Sequence, residues 1–431
     1  MKTKLLAGLV ASSCFAAPAL AQSNITIYGI MDAGIHVSSN GEGTKTKRVS
    51  GIADGSRLGF KGSEDLGGGY KAIFNIEARV ELDNGGNQAG NISDNQGFAL
   101  TNGLAFNVPP AAGGSATAAR LLAGARGALQ PAINVNTNRA LFDRTSMVGL
   151  VTPVGAILAG RMYTPAYEVF AAADTFETGT AGSWSSVTQG SGGLLTAGVA
   201  IRSDKALQYR IALPNGISAA LMYGFKNSGY IGLDDKFWAA NVMYKANGFN
   251  LGLGHNHGND QNGNKGLVTT TLGGSYETGA MKFFAGYQAM KNDNSVLIPV
   301  FNTALAPTFA QFGTVLGPAL AGQFNANLVR NFKLDADSIS VGMHYTIGSG
   351  RIMGSVSHQN DKTAFNNDAT QYAIGYDHNL SKRTDIYTVL AYIKNRNDAQ
   401  YAPGAASAPG GFTSEPGQAG RAFQIGMRHQ F

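Results

Sequence analysis

The chain closes on Phe423-Gln-Ile-Gly-Met-Arg-His-Gln-Phe431. Read as a strand, Phe423, Ile425, Met427, His429 and Phe431 share one face, and Gln424, Gly426, Arg428 and Gln430 share the other. A strand that is apolar on one side and water-facing on the other, placed last, is what a transmembrane β-barrel needs to shut its wall. Closure is obligatory in lipid, because an open sheet edge leaves backbone groups without partners.

Working outward, the same period of two recurs along the chain. It is strong over Ser56–Lys61, Tyr70–Leu82, Leu207–Ala212, Ile217–Phe225, Phe249–Asn256, Met281–Gln288, Ile339–Thr346 and Tyr372–Asp377. Weaker alternation near 25–37, 140–151, 155–163, 236–246, 266–276, 350–358 and 383–394 brings the predicted total to sixteen strands. Between them, seven short connections such as Leu213-Pro-Asn-Gly216 and Lys245-Ala-Asn-Gly248 carry the Asn, Gly and Pro that tight hairpins require. They alternate with eight long connections, near 39–55, 83–138, 164–201, 227–235, 258–265, 291–334, 361–367 and 395–419. Strict short–long alternation predicts an all-β, sixteen-stranded antiparallel barrel with short periplasmic turns and long extracellular loops. A soluble β-sandwich offers no reason for it.

Composition agrees. The 58 glycines and the 14% charged residues contrast with averages of about 7% and about 25%. No apolar run is long enough for a spanning helix. The N-terminus reads as a secretory signal: basic Lys2 and Lys4, a short apolar run over Leu5–Phe15, and the small-x-small site Ala19-Leu20-Ala21. Residues 1–21 are therefore expected to leave, and 22–431 to form the barrel. Cys14, the only cysteine, would leave too, which excludes thiol chemistry and disulfides from the mature chain. The net charge of +6 falls to +4 without Lys2 and Lys4, too weak and dispersed for a nucleic-acid footprint.

Sixteen strands enclose water, so selection needs an internal constriction. The third long connection, Thr164-Pro-Ala-Tyr-Glu-Val-Phe-Ala-Ala-Ala-Asp-Thr-Phe-Glu-Thr-Gly179, mixes apolar Val169, Phe170 and Phe176 with Glu168, Asp174 and Glu177. Such a loop suits a place inside the lumen, its apolar side on the wall and its carboxylates toward the pore. Pro165 and the alanines favour a helical turn at its start. Strand parity puts Arg57, Arg79, Arg202 and Arg210 on the water face, since a lipid-facing arginine costs about 2–4 kcal/mol at midplane. Arg144 and Arg161 lie where alternation is ambiguous. His255-x-His257 near Asp260 has metal-ligand chemistry, but interfacial or loop histidines explain it better; no metal or cofactor is predicted. No Gly-x-Ser-x-Gly elbow and no Ser/His or Asp/His pair stands at catalytic spacing, so no enzyme is predicted.

Four stretches carry a family resemblance: Ile27-Tyr-Gly-Ile-Met-Asp-Ala-Gly34, Ser56-Arg-Leu-Gly-Phe-Lys-Gly-Ser-Glu-Asp-Leu-Gly-Gly-Gly69, Gly160-Arg-Met-Tyr-Thr-Pro-Ala-Tyr167 and Gly426-Met-Arg-His-Gln-Phe431. The chain resembles the general-diffusion porins of Gram-negative bacteria, in the β-proteobacterial branch of Bordetella, Burkholderia and Comamonas. The resemblance implies a homotrimer in the outer membrane, bedded in lipid and lipopolysaccharide, passing small hydrophilic solutes and inorganic ions. It implies a constriction of wall arginines, here Arg57, Arg144 and Arg202 with Arg161 as a secondary member, facing Asp174 and Glu177 on the third loop. It also implies that Phe431 is a signal read by the outer-membrane insertion machinery. A basic wall facing few acids predicts a preference for anions. The alternative is a substrate-specific uptake channel, for instance for an organic acid. The stretch Asn84–Asn138 and the 291–334 connection depart from the pattern by their length.

Overall fold

The computed structural model describes residues 24–87, 95–129, 140–188, 201–228, 235–404 and 411–431. The expected signal segment 1–21 lies outside them. One continuous sheet contains every strand. The first seven segments are β1 (Asn24–Ser39), β2 (Thr44–Ser50), β3 (Arg57–Gly67), β4 (Tyr70–Arg79), β5 (Ser146–Thr152), β6 (Gly155–Tyr163) and β7 (Arg202–Ala212). Then come β8 (Ile217–Gly224), β9 (Phe237–Ala246), β10 (Phe249–Asn259), β11 (Lys265–Thr278) and β12 (Met281–Asn292). The wall finishes with β13 (Leu334–Ile347), β14 (Gly350–Asp361), β15 (Ala369–Asn379), β16 (Thr384–Asn395) and β17 (Gly420–Gln430).

Each segment pairs antiparallel with its neighbours, and β17 returns to β1 in register from Ile30↔Gln430 to Ser39↔Arg421. The barrel is closed, and the first strand lies beside the last, as alternation predicts. Both β2 and β3 pair with β1, so they are two halves of one wall strand and the wall counts sixteen. The break between them is local chemistry. Gly51 takes φ +70°, and the buried Asp32 carboxylate accepts the backbone N–H groups of Ala53 (2.7 Å) and Asp54 (2.6 Å), pulling 51–56 off the wall.

The periplasmic turns, at 68–69, 153–154, 213–216, 247–248, 279–280, 348–349 and 380–383, are all short, as expected. Two connections expected to be long are not. Residues 44–50 extend the barrel as β2, leaving 40–43 as a turn and 51–56 as the displaced segment, and β10 and β11 are joined by 260–264 alone. The Thr, Lys and Arg residues of β2 lack the apolar alternation that marks the other strands, and β2 stands at the extracellular edge where a polar outer face is tolerated.

Alternation assigns the faces. Leu251 and Leu253 of β10 stand outward, exposed, with Gly252 and Gly254 inward. On β17, Phe423, Ile425 and Met427 are exposed while Gln424 is fully buried. The exposed apolar residues form the lipid face, so the packed cores lie elsewhere: where the third loop meets the inner wall, and above the barrel. There, α1 (Gln96–Leu100) and α2 (Gly114–Leu129) occupy the connection after β4. The third loop begins with α3 (Pro165–Ala173) and continues into a short turn, α4 (Ser185–Thr188). Two further helices, α5 (Leu297–Ala310) and α6 (Gly313–Phe332), occupy the connection between β12 and β13. No described helix is long and apolar enough to cross a membrane.

Candidate constriction site

The third loop is folded inside the barrel. Pro165 occupies the first turn of α3, where its missing N–H costs nothing. Val169, Ala166 and Ala173 of α3 pack on the inner wall of β9–β12. The wall makes room by having no side chains there. A Cβ on Gly254 would stand 2.7 Å from Ala166 Cα, and one on Gly286 would stand 2.6 Å from the Trp184 ring. These inward glycines are the even positions that alternate with apolar residues in the sequence. Asn241 on β9 donates to Pro165 O at 2.7 Å and holds the start of the helix.

After α3 the loop turns around Asp174. Its two carboxylate oxygens accept four bonds: from Phe176 N (3.1 Å), Trp184 N (3.2 Å), Thr178 N (3.0 Å) and Ser183 Oγ (2.6 Å). The residue is buried, and burial pushes its pKa up while those donors pull it down. Three non-glycine residues behind it, Glu177, Thr178 and Thr180, hold left-handed φ values of 55°, 67° and 59°. Such conformations persist where surrounding contacts over-determine them.

From there the loop is tied across the far wall. His344 Nε2 donates to Thr175 O at 2.6 Å, and Arg351 grips Glu177 with two bonds of 2.7 and 3.0 Å. Gln371 donates to Ala181 O, and Ala181 N–H donates to Gln424. Thr180 N–H reaches Ile52 O at 2.6 Å, so the displaced segment 51–56 is a seat for the loop. Burial disfavours the charge on Glu177, but the Arg351 bonds outweigh it and lower its pKa to about 2.

The arginines converge on Tyr163. Arg144 Nη2 donates to its hydroxyl at 3.2 Å, Arg202 donates to the same oxygen, and the Arg202 guanidinium lies 4.1 Å from the ring centre. Arg57 and Arg144 both approach the buried Glu77, at 3.7 and 4.0 Å. Arg57 also pairs with Asp54 at the edge of the seat. Tyr163 stacks on Tyr167 (5.3 Å), which stacks on Phe170 (6.5 Å), which stacks on Trp184 (4.6 Å). The aromatic run joins the arginine group to the third loop.

Thus Arg57, Arg144 and Arg202 are brought together, Arg161 stands at the margin of their group within electrostatic reach of Arg202, and Asp174 and Glu177 are not part of it. Arg161 has the strand parity of Ala159 and exposed Ile157, opposite to buried Leu158; it pairs with Asp204 and donates to Asp143 O at 2.7 Å. The loop acid that does meet a β7 arginine is Glu168, paired with Arg210. Sequence reasoning missed Glu77, although it stands two residues from Arg79 on the same strand face. It also missed the ladder Arg351–Asp377–Arg428–Asp385 across β14–β17, with contacts of 3.1, 3.8 and 3.1 Å. Parity alone would have found it: Arg428 is on the water face of the terminal strand. His255 and His257 lie on the lipid face beside Trp238, and His255 Nδ1 shares a bond with Thr270 Oγ1. Among the described residues no three His, Cys, Asp or Glu side chains are grouped to hold a metal ion.

Comparison with known proteins places this arrangement. Residues 6–398 match the family described as Gram-negative porin. Outer membrane porin protein 32 of Delftia acidovorans is 25% identical over the full length of both chains. An outer membrane porin protein of Bordetella pertussis is 26% identical, covering 91% of this chain and 94% of its own. Among solved structures, an anion-selective porin from Comamonas acidovorans superposes with a TM-score of 0.63 at 22% identity, covering 95% of this chain and all of its own. OmpF of Salmonella typhi gives 0.57 at 14% identity. With the closed sixteen-stranded wall and its in-folded loop, these matches establish that the chain belongs to the Gram-negative porin family and forms an outer-membrane channel.

Proposed function

We propose that the channel passes small hydrophilic solutes by passive diffusion and prefers anions, with Arg57, Arg144 and Arg202 as the charged wall of its eyelet. One observation carries the reading: three guanidinium groups gather around Tyr163, where Glu77 is the buried carboxylate that two of them share and Asp54 pairs with Arg57 at the edge. The anion selectivity of the Comamonas relative supports it. Charges held in low-dielectric walls around a narrow water path focus potential, which concentrates counter-ions and orients polar solutes. Rings of fixed charge set ion preference. In this reading Asp174 shapes the loop from within, Glu177 fastens it to β14, and Arg161 braces the rim.

Replacing Arg57 and Arg202 together by Gln tests the assignment. Reversal potential across a salt gradient in planar bilayers should move from anion toward cation preference at low salt. The shift should shrink at high salt, where the Debye length drops from about 8 Å to about 3 Å. An unmoved reversal potential at low salt places the eyelet elsewhere.

A second reading, uptake of a particular organic acid, gains support from the Tyr163–Tyr167–Phe170 stack beside the arginines. It requires saturable flux of one carboxylate and block by that solute alone. The relatives' outer-membrane assembly also supports removal of residues 1–21, a homotrimer in contact with lipid and lipopolysaccharide, and recognition of Phe431 by insertion machinery. One solved relative is described in a trimer form.

A further inference from the structure

The two enlarged connections meet. The one carrying α1 and α2 is rooted on β4 and β5, and the one carrying α5 and α6 is rooted on β12 and β13. Around the wall, six strands (β6–β11) separate these roots on one side. Six more separate them on the other: β14–β17, β1 and the β2/β3 strand. The roots are therefore diametrically opposed. Yet their helices share one core, in which Leu121 and Leu129 of α2 are buried with Phe301 and Phe309 of α5 and Phe324 and Leu328 of α6.

The position of this core relative to the lumen follows from its seat. Arg330 of α6 pairs with Asp398 at 2.8 Å, Asn102 donates to Asp398 O at 3.4 Å, and Asn95 donates to Phe412 O at 2.9 Å. The segment that receives them turns inward. Tyr401 and Ala399 are buried in one cluster with Phe170 and Trp184 of the third loop, and Gly404 N–H donates to Ser186 Oγ at 3.2 Å. Helices, the 396–404 segment and the constriction loop are thus stacked, and the helices stand over the lumen. Their size suits the task. A sixteen-stranded wall with about 4.8 Å strand spacing and about 40° tilt is roughly 30 Å across. The 20 residues of α6 extend about 30 Å at 1.5 Å per residue. Their own charge is +3: the four helices carry Arg120, Arg126 and Arg330 and no carboxylate, and Arg330 is offset by Asp398. Arg126 is engaged with Thr101 (3.2 Å) and the Phe98 ring (4.4 Å).

We propose that these helices form an outer filter in series with the eyelet, restricting access by solute bulk and leaving charge discrimination to the arginine wall. The inference builds on the channel reading, and its test separates the two. A variant with 95–129 and 297–332 each replaced by a short Gly-Ser turn is reconstituted into liposomes beside the full chain, and swelling is followed in a pentose and in a trisaccharide. The trisaccharide-to-pentose rate ratio should rise about fivefold or more, since pore width sets the size cut-off, while the low-salt reversal potential keeps its wild-type value. An unchanged ratio overturns the filter. A ratio that rises only together with a lost anion preference overturns the division of labour. Should the shortened chain fail to assemble, Phe324→Asp with Leu328→Asp keeps both loop lengths and breaks the shared core. A raised ratio in that variant supports the filter. An unchanged ratio, with new protease cleavage within 95–129 proving the core open, overturns it. The Arg57/Arg202 variant should show the reverse pattern, a moved reversal potential with the wild-type ratio, so failure of the eyelet reading is seen separately.

Discussion

At the scale of single residues, the site is governed by which charges have partners. Glu77 is the buried carboxylate between Arg57 and Arg144. Removing one member of a buried charge group leaves the others uncompensated, at about 3–5 kcal/mol. Glu77→Gln should therefore lower the unfolding midpoint in denaturant while strengthening anion preference in bilayers; a stable variant with unaltered selectivity would contradict the placement. Asp174 makes the opposite case. As an acid facing the pore it would, when neutralised, push selectivity toward anions. With its oxygens occupied by four donors of its own loop, Asp174→Asn should instead leave the reversal potential in place and loosen the loop, seen as greater open-channel noise. The difference was not legible in sequence, because an acid on a mixed apolar–acidic loop can turn either way. Arg57 was legible, since strand parity has only two outcomes and lipid forbids one of them. Arg202 was not, because Gly160 and Met162 pair with Ala206 and Ser203, and the extra residue in β7 breaks the alternation that parity depends on.

At the scale of elements, the barrel strands announced themselves through period two, and the helices over the mouth did not, although their signal was present. Leu297, Phe301, Leu305 and Phe309 recur every four residues, as do Leu320, Phe324, Leu328 and Phe332. That spacing marks one helix face, but the surrounding Ala, Gly and Asn read as loop. The inward glycines are the clearest case of an element shaped for another. Gly254→Val should wedge α3 away from the wall, costing about 1–3 kcal/mol as overpacking, and lower single-channel conductance as the loop moves into the lumen. Gly354→Val, on the outer face with exposed Ile352 and Val356 and with no atom nearer than 3.9 Å to its Cβ, is the control for an added side chain away from the loop; equal conductance in both would dissociate the inward glycines from loop position. The loop's tie to β14 has its own pH window. The Glu177 carboxyl is lowered to about 2, so the stability it contributes is present above its ordinary value of about 4.3 and is lost as pH falls through about 2. Acidification from pH 7 to 5 should leave the Glu177–Arg351 tie intact, and any conductance change in that range should persist in Glu177→Gln.

At the scale of the whole molecule, closure is the condition for everything inside. It was readable from the terminal strand because lipid permits no open edge, and the register shows how narrowly it is met. Phe431 exchanges two backbone bonds with Gly29, each 3.1 Å, and its ring lies over that glycine. Two roles fit this position, a last rung of the closing ladder and a signal read before folding, and they separate by where the defect appears. Deleting Phe431 removes one pair from a seam that β1 and β17 share over ten other positions from Ile30↔Gln430 to Ser39↔Arg421. Loss of a single terminal rung is worth only about 0.5–1.5 kcal/mol per hydrogen bond. The purified, denatured variant should therefore refold in detergent with nearly wild-type yield. In cells the same deletion should sharply reduce folded, heat-modifiable protein in the outer membrane if the residue is a recognition signal. Phe431→Tyr, which keeps an aromatic ring, should restore it. Equal losses in detergent and in cells would instead assign Phe431 to the seam alone, and an unchanged yield in both would remove it from assembly altogether.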